Sequence, residues 1–157
     1  MIALIRYKST LRTFYYYHFL MVPIPHKILT RKHEITSRFL DLLDAHIDDI
    51  LAGKINYAYK IKDFAKRLLV SPTHFSNIIK LTTKRSPGEF VEERLVAEAK
   101  KMLSETTMSV EEISHKLTFQ DPDAFRKFFK RSEGKTPLEY RGRFRIVEFM
   151  EAVTSKW

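Results

Sequence analysis

The clearest hydrophobic pattern in the chain lies between residues 121 and 141, where apolar positions follow a helical period. Phe125, Phe128 and Phe129 are spaced i, i+3 and i+4 and therefore share one face of a helix. Charged residues, most of them basic, occupy the opposite face. The pattern predicts a short helix that packs one face on a small core and exposes the other. The start and stop signals are Asp121, Pro122 and Gly134.

The same pattern occurs earlier in the chain, over residues 71–90. Its apolar, proline and charged positions correspond to those of residues 121–140 at a constant spacing, which chance would rarely produce over so many pairs. We interpret the two segments as copies of a duplicated supersecondary unit. The matched pairs are Pro72/Pro122, Phe75/Phe125, Ile78/Phe128, Ile79/Phe129, Lys80/Lys130, Pro87/Pro137, Glu89/Glu139 and Phe90/Tyr140.

Each copy follows a short amphipathic segment, at residues 61–70 and 110–119. A small residue, Ala65 or Ser114, comes directly after the first large apolar residue of the helix interior, so a second helix can approach closely there. A short turn and a capped helix then follow. This succession predicts two helix-turn-helix units, in which the second helix is the one that enters the major groove of DNA.

The arrangement resembles the DNA-binding domain of the AraC/XylS family of transcription regulators. The resemblance covers about residues 36–145 and implies an all-α fold, homeodomain-like and bilobed, with two helix-turn-helix subdomains joined by a long linker helix. Thr118 and Lys84 stand where the family usually has Gly, and Ser114 stands where Ala is commoner. Lys84 would be strained if its position takes a positive φ. The residues of the family signature are Phe119, Asp121, Phe125, Phe128, Phe129, Lys130, Gly134, Pro137 and Tyr140.

We expect three parts in the chain: an N-terminal extension (1–34), the DNA-binding domain (35–146) and a C-terminal tail (147–157). Residues 1–31 carry basic residues and no acid around the run TFYYYHFLMV. That run is too short to span a bilayer, and no small-residue cleavage site follows it. The extension could be an element docked on the domain, a remnant of an upstream domain or a poorly ordered tail.

The domain begins with a predicted amphipathic helix, residues 35–51, which Gly53 ends. Its apolar stripe could form a dimer seam or belong to the DNA-binding domain, and the resemblance favours the domain. Its acidic residues match no metal-binding loop and indicate a solvated face. The remaining elements are predicted at about 60–83 for the first helix-turn-helix, 87–104 for the linker helix and 109–133 for the second helix-turn-helix.

Composition limits the kinds of binding partner, metal site and catalytic chemistry that the chain can have. The net charge of +9 indicates a polyanionic partner, either nucleic acid or an anionic membrane, although a merely solubilising charge fits equally well. The absence of cysteine excludes disulfides and thiolate metal sites. The sequence contains no P-loop, HExxH or Gly-rich dinucleotide turn, so we expect neither an enzyme nor a cofactor.

The candidate DNA contacts lie on the outward faces of the two second helices. Asn77 is suited to adenine and Arg126 to guanine, since these side chains pair with those bases in a bidentate way. By position, Lys130 and Arg131 are better placed for phosphate. The tail arginines Arg141, Arg143 and Arg145 could add phosphate contacts or be simply solvated. The full candidate set is Thr73, Ser76, Asn77, Lys80, Asp123, Arg126, Lys127, Lys130 and Arg131.

Together these observations predict a sequence-specific DNA-binding transcription regulator of bacterial type, active in the cytoplasm. It would insert its two recognition helices into successive major-groove segments, about 34 Å apart. RNA polymerase is a candidate second partner, a membrane is not expected, and no effector is evident. The alternative is a basic helical adaptor that binds an acidic protein or a membrane surface.

Overall fold

The structure, a computed structural model, describes residues 26–143, with side chains described from Thr30 onward. Within that range all regular elements are helices, so the predicted all-α class is confirmed. The predictions for residues 1–25 and for Arg145 lie outside the described residues. The helices are α1 (His26–Leu51), α2 (Ile61–Arg67), α3 (Pro72–Thr83), α4 (Pro87–Glu105), α5 (Val110–Lys116) and α6 (Pro122–Glu133), followed by a helical segment at residues 137–143.

Helix α1 is longer than its apolar stripe predicted. It begins at His26 rather than Ile35, so residues 26–34 are helical and do not belong to an irregular extension. The reason is that no Gly or Pro lies between Pro25 and the stripe, and nothing else in that stretch stops a helix. At the other end Gly53 takes a left-handed φ of 71°, as expected of a helix stop.

Phe39 of α1 lies at the centre of the first lobe and is fully buried. Its ring makes edge contacts with Phe64, Phe75 and Phe90, at centroid distances of 5.4, 5.1 and 6.1 Å. Such edge-to-face pairs stabilise beyond the burial of their area. One ring thus joins α1 to α2, α3 and the start of α4, which makes α1 part of the first lobe.

The second lobe packs around Phe125 and Phe129, both fully buried as predicted. Phe119 contacts Phe125 at 5.4 Å, and Tyr140 contacts Phe129 at 5.4 Å. Phe128 is only half-buried and packs against Phe119. The buried residues of both lobes belong to one continuous hydrophobic cluster.

The two helix-turn-helix turns share their hydrogen bonds but not their length. Val70 N–H donates to the Ala65 carbonyl at 3.1 Å, and Phe119 N–H donates to the Ser114 carbonyl at 3.0 Å. The residue before each donor is left-handed, with φ of 57° in the first turn and 64° in the second. The second turn then has one residue more before its next helix. The two left-handed residues are Leu69 and Thr118.

Ser114 is fully buried, as a position of close helix approach requires, but its hydroxyl has no hydrogen-bond partner among the described residues. Because a buried unpaired hydroxyl costs about 1–3 kcal/mol, we expect Ser114→Ala to raise the free energy of unfolding by about 1 kcal/mol. Ser109→Ala is the matched control. The Ser109 hydroxyl caps α5 by accepting from Glu112 N–H, so its loss should destabilise by about 1 kcal/mol. Thermal unfolding should show that Ser114→Ala is stabilised and that Ser109→Ala is destabilised. A destabilised Ser114→Ala variant would mean that the Ser114 hydroxyl is not an unpaired buried group.

Candidate nucleic-acid interface

The two recognition helices, α3 and α6, begin in the same way. Ser71 caps α3 by accepting from His74 N–H at 3.3 Å, and Asp121 caps α6 by accepting from Asp123 N–H at 3.0 Å. A proline occupies the first turn of each helix, where its missing N–H costs nothing. The caps fix where each helix starts and so fix which side chains point outward.

The two recognition helices also end in the same way. In each, the residue after the helix is left-handed and its N–H donates at 2.9 Å to the carbonyl of a lysine, Lys80 or Lys130. In α6 that residue is Gly134, which takes φ of 70° without strain. In α3 it is Lys84 at φ of 62°, so the strain expected for this lysine is present.

The exposed face of α3 is nearly neutral. Thr73, Asn77 and Lys80 are exposed and Ser76 is half-buried, so all four candidate residues lie on or beside one outward face. His74, also exposed, lies beside them. Hydroxyl and amide groups of this kind can donate to and accept from base edges and phosphates.

The exposed face of α6 is strongly charged. Arg126 donates through Nη1 to the Asp123 carboxylate one turn earlier on the same face. Lys127 and Lys130 are exposed, and neither forms an ion pair within residues 30–143. These two lysines therefore offer their charge to an outside anion.

Arg131 is also exposed but is turned toward the linker helix. Its Nη2 lies 3.0 Å from the Glu92 carboxylate on α4, and its guanidinium lies over the Phe128 ring. To reach a phosphate, Arg131 would have to leave Glu92. Arg131 thus differs from Lys130, although the sequence pattern predicted a phosphate contact for both residues.

Helix α4 is bound to both lobes by ion pairs. Arg94 bridges to Asp44 of α1 at 2.7 Å, and Lys100 lies 2.9 Å from Glu133 at the end of α6. Each such pair at a surface contributes only about 0–1 kcal/mol, but together they oppose rotation of one lobe against the other. The linker helix therefore contacts the lobes of both α3 and α6.

Arg141 is held by the protein and is not simply solvated, while its contact with phosphate stays a prediction. The side chain is half-buried and donates to two backbone carbonyls, Leu103 at 3.2 Å and Met108 at 2.5 Å. These carbonyls lie at the end of α4 and before α5, where the helix leaves them without an internal partner. Arg143, by contrast, is exposed.

His46 is a buried polar residue on the apolar stripe of α1. The helical period predicts its position on that stripe but not its partners. Its Nε2 accepts from Tyr59 N–H at 2.9 Å, and its ring stacks on Tyr59 at 3.5 Å between centroids. The guanidinium carbon of Arg67 lies over the Tyr59 ring, 4.4 Å from its centroid. Burial lowers the pKa of His46, and the Arg67 charge lowers it further. The neutral imidazole therefore anchors the segment that leads into α2.

Two other kinds of site are absent from the described part of the chain. Residues 30–143 bring together no cluster of three or more potential metal ligands. None of the described helices combines the length and the apolar character needed to cross a bilayer.

Comparison with known proteins agrees with this geometry. The chain is 30% identical over 92 residues to the HTH-type transcriptional regulator Rv1931c of Mycobacterium tuberculosis, covering 59% of this chain and 36% of that protein. It spans less than half the length of the curated relatives that it matches.

Solved structures show the same fold. The C-terminal domain of AraT, a response regulator from Geobacillus stearothermophilus, superposes with a TM-score of 0.61 at 22% identity, covering 69% of this chain and 84% of that one. The DNA-binding domain of AdpA, a global transcriptional factor solved in complex with a target DNA, superposes with a TM-score of 0.54 at 23% identity, covering 64% and 94%.

The decisive match is to the helix-turn-helix domain family, over residues 64–143. This range makes up half of the chain and contains both turns, both recognition helices and the linker helix. The chain belongs to the AraC-type helix-turn-helix family of DNA-binding domains.

Proposed function

We propose that this chain is a sequence-specific transcription regulator that inserts α3 and α6 into successive major-groove segments on one face of double-stranded DNA. One observation carries the proposal: two helix-turn-helix units with equivalent caps and the same turn hydrogen bonds are joined by a helix that forms ion pairs with both lobes. Helix-turn-helix dimers place their recognition helices about 34 Å apart, one turn of DNA. The duplicated units would give a single chain the same two-site contact.

The two recognition helices would contribute differently to binding. Helix α3 offers neutral hydrogen-bonding groups and one lysine, which suits base readout with little dependence on salt. Helix α6 offers basic side chains, which suit phosphate contacts and a strong salt dependence. In this assignment Asn77 and Arg126 read bases, Lys127 lies at the base edge or the backbone, and Lys130 contacts phosphate. Thr73, Ser76, Lys80, Asp123 and Arg131 complete the proposed interface.

The relatives support this function by their descriptions. Rv1931c is described as a transcriptional regulator, and the AdpA domain was solved on a target DNA. By analogy we place the protein in the cytoplasm with the chromosome, acting through DNA binding and not through catalysis. RNA polymerase is the partner that a DNA-bound regulator would contact.

Selection of duplexes from a random pool, followed by mobility-shift titration, tests the function itself. We expect a preferred duplex that binds about 10³-fold or more tighter than a scrambled duplex of equal length at physiological salt. The adaptor alternative would instead show no preference for any duplex under those conditions.

Lys130→Ala and Asn77→Ala should weaken binding in different ways. A phosphate contact contributes about −0.9 to the slope of log K against log salt, so Lys130→Ala should flatten that slope by about one unit on every duplex. A base contact is worth about 1–3 kcal/mol on the preferred site, so Asn77→Ala should lose affinity there and relax preference at one position.

The measurement is a salt-dependent titration of each variant on the preferred and the scrambled duplex. Lys101→Ala is a matched control, because Lys101 is exposed on α4 outside the proposed interface and should leave the salt slope nearly unchanged. If Asn77→Ala lost affinity equally on both duplexes, Asn77 would not be a base reader.

A further inference from the structure

The outward face of α6 holds a pair of charges that α3 does not have. Arg126 donates through Nη1 to Oδ1 of Asp123, three residues earlier in the same helix. Thr73 and Ser76 occupy the corresponding positions of α3 in the duplicated unit. The second recognition helix therefore carries an ion pair where the first carries two hydroxyls.

The backbone of Asp123 is held by the helix cap. Its backbone N–H donates to the capping carboxylate of Asp121 at 3.0 Å, so the first turn of α6 is ordered up to Asp123. A carboxylate near a helix N-terminus is also favoured by the helix dipole. The backbone that carries the acceptor of Arg126 is thus fixed in the first turn of the helix before DNA binds.

The contact between Arg126 and Asp123 leaves other N–H donors of the guanidinium free to bind a base. An arginine has five N–H donors in a planar fork, and the bond to Asp123 uses a donor on Nη1. The remaining Nη hydrogens can still donate to O6 and N7 of guanine in a bidentate way. Because the side chains of Arg126 and Asp123 are 49% and 65% exposed, the pair lies within reach of a base edge.

The pair also changes what the arginine can bind. A free arginine is attracted to any phosphate and so adds to binding on every sequence. An arginine keeps its charge when it meets a carboxylate, but the pair as a whole has nearly no net charge, and the carboxylate repels the phosphate backbone. Such a pair adds little to non-specific binding while it keeps the geometry for one base.

We infer that Asp123 is a positioning residue that holds Arg126 for guanine and suppresses its use on phosphate, so that this pair sets the specificity of α6. The inference rests on the proposed function. It changes the role of Asp123 from a direct DNA contact to a residue that acts through Arg126.

A double-mutant cycle on the full chain tests the inference. The variants are Asp123→Asn, Arg126→Ala and their combination, each titrated on the preferred and the scrambled duplex at several salt concentrations. Asp123→Asn keeps the shape of the side chain and removes its charge. Asp41→Asn, the same exchange at an exposed position of α1, controls for the loss of one negative charge. Thermal unfolding confirms that each variant is folded.

We expect Asp123→Asn to reduce discrimination between the two duplexes by about fivefold or more, the lower end of the worth of an arginine–guanine contact. It should also tighten binding to the scrambled duplex and make its salt slope steeper by up to about one unit, because the released Arg126 can meet a phosphate. In the Arg126→Ala background, Asp123→Asn should change discrimination by less than about twofold, within the usual limit of additivity.

Two results would overturn the inference while leaving the function intact. Discrimination could be unchanged by Asp123→Asn, or it could fall equally in both backgrounds, in which case Asp123 would read a base itself. A chain with no preferred duplex would contradict both the inference and the proposed function.

Discussion

Phe125→Ala is expected to lower the free energy of unfolding by about 3–5 kcal/mol, the usual cost of truncating a buried phenylalanine. The ring is fully buried and contacts Phe119 at 5.4 Å and Phe129 at 6.0 Å. These rings form the centre of the second lobe, so the truncation would leave a cavity in its core. Phe129→Ala should have an effect of the same size.

The measurement is chemical or thermal unfolding, with Phe128→Ala as the matched control. Phe128 has the same side chain in the same helix but is only half-buried, so its loss should cost clearly less. A change below about 1 kcal/mol for Phe125→Ala would mean that this face of α6 is not in the core.

Arg141→Ala is expected to lower the free energy of unfolding by about 2–3 kcal/mol. Hydrogen bonds from a charged donor are worth about 1.5–3 kcal/mol each, and the half-buried position of Arg141 reduces the sum of the two. The guanidinium joins the carbonyls of Leu103 and Met108, which lie on either side of the link between α4 and α5. Arg141→Lys should recover only part of the loss, since a lysine lacks the planar fork that reaches two acceptors.

Arg143→Ala is the control for Arg141, because Arg143 is exposed and its truncation should stay within about 0.5 kcal/mol. DNA titration at a temperature where both variants are folded completes the test. An Arg141→Ala variant of unchanged stability, with a salt slope flatter by about one unit, would identify Arg141 as a phosphate contact.

Helices α3 to α6 could be predicted from the sequence because their signals are local. Each begins at a capping residue followed by a proline or by a residue pair that closes a capping box, such as Ser86 with Glu89. Each buries residues that follow the 3.6-residue period. The start of α1 could not be predicted in this way, because no residue near Ile35 signals a boundary and the helix continues back to His26.

The contacts that fix the lobes could not be predicted, because their partners are far apart in the chain. Arg94 with Asp44, Lys100 with Glu133 and Arg141 with its two carbonyls depend on how helices cross. Hydrophobic periodicity shows which face of a helix is buried but not which charged residues meet at its edges.

The candidate site was predicted as a set of outward residues, and the structure does place them on the outward faces of α3 and α6. The sequence did not show which of these residues form ion pairs with their neighbours. The i, i+3 spacing of Asp123 and Arg126 permits an ion pair, and the structure forms it. The pairing of Arg131 with Glu92 required the position of α4.

Hydroxyl-radical footprinting of the preferred duplex, with sedimentation of the same complex to fix one chain per duplex, tests the two-site contact most directly. If one chain inserts both recognition helices, two protected segments should appear on one face of the DNA, about one helical turn or 10–10.5 base pairs apart. Lys130→Ala should weaken protection of one segment and Lys80→Ala that of the other. A single protected major-groove segment under one bound chain would contradict the account.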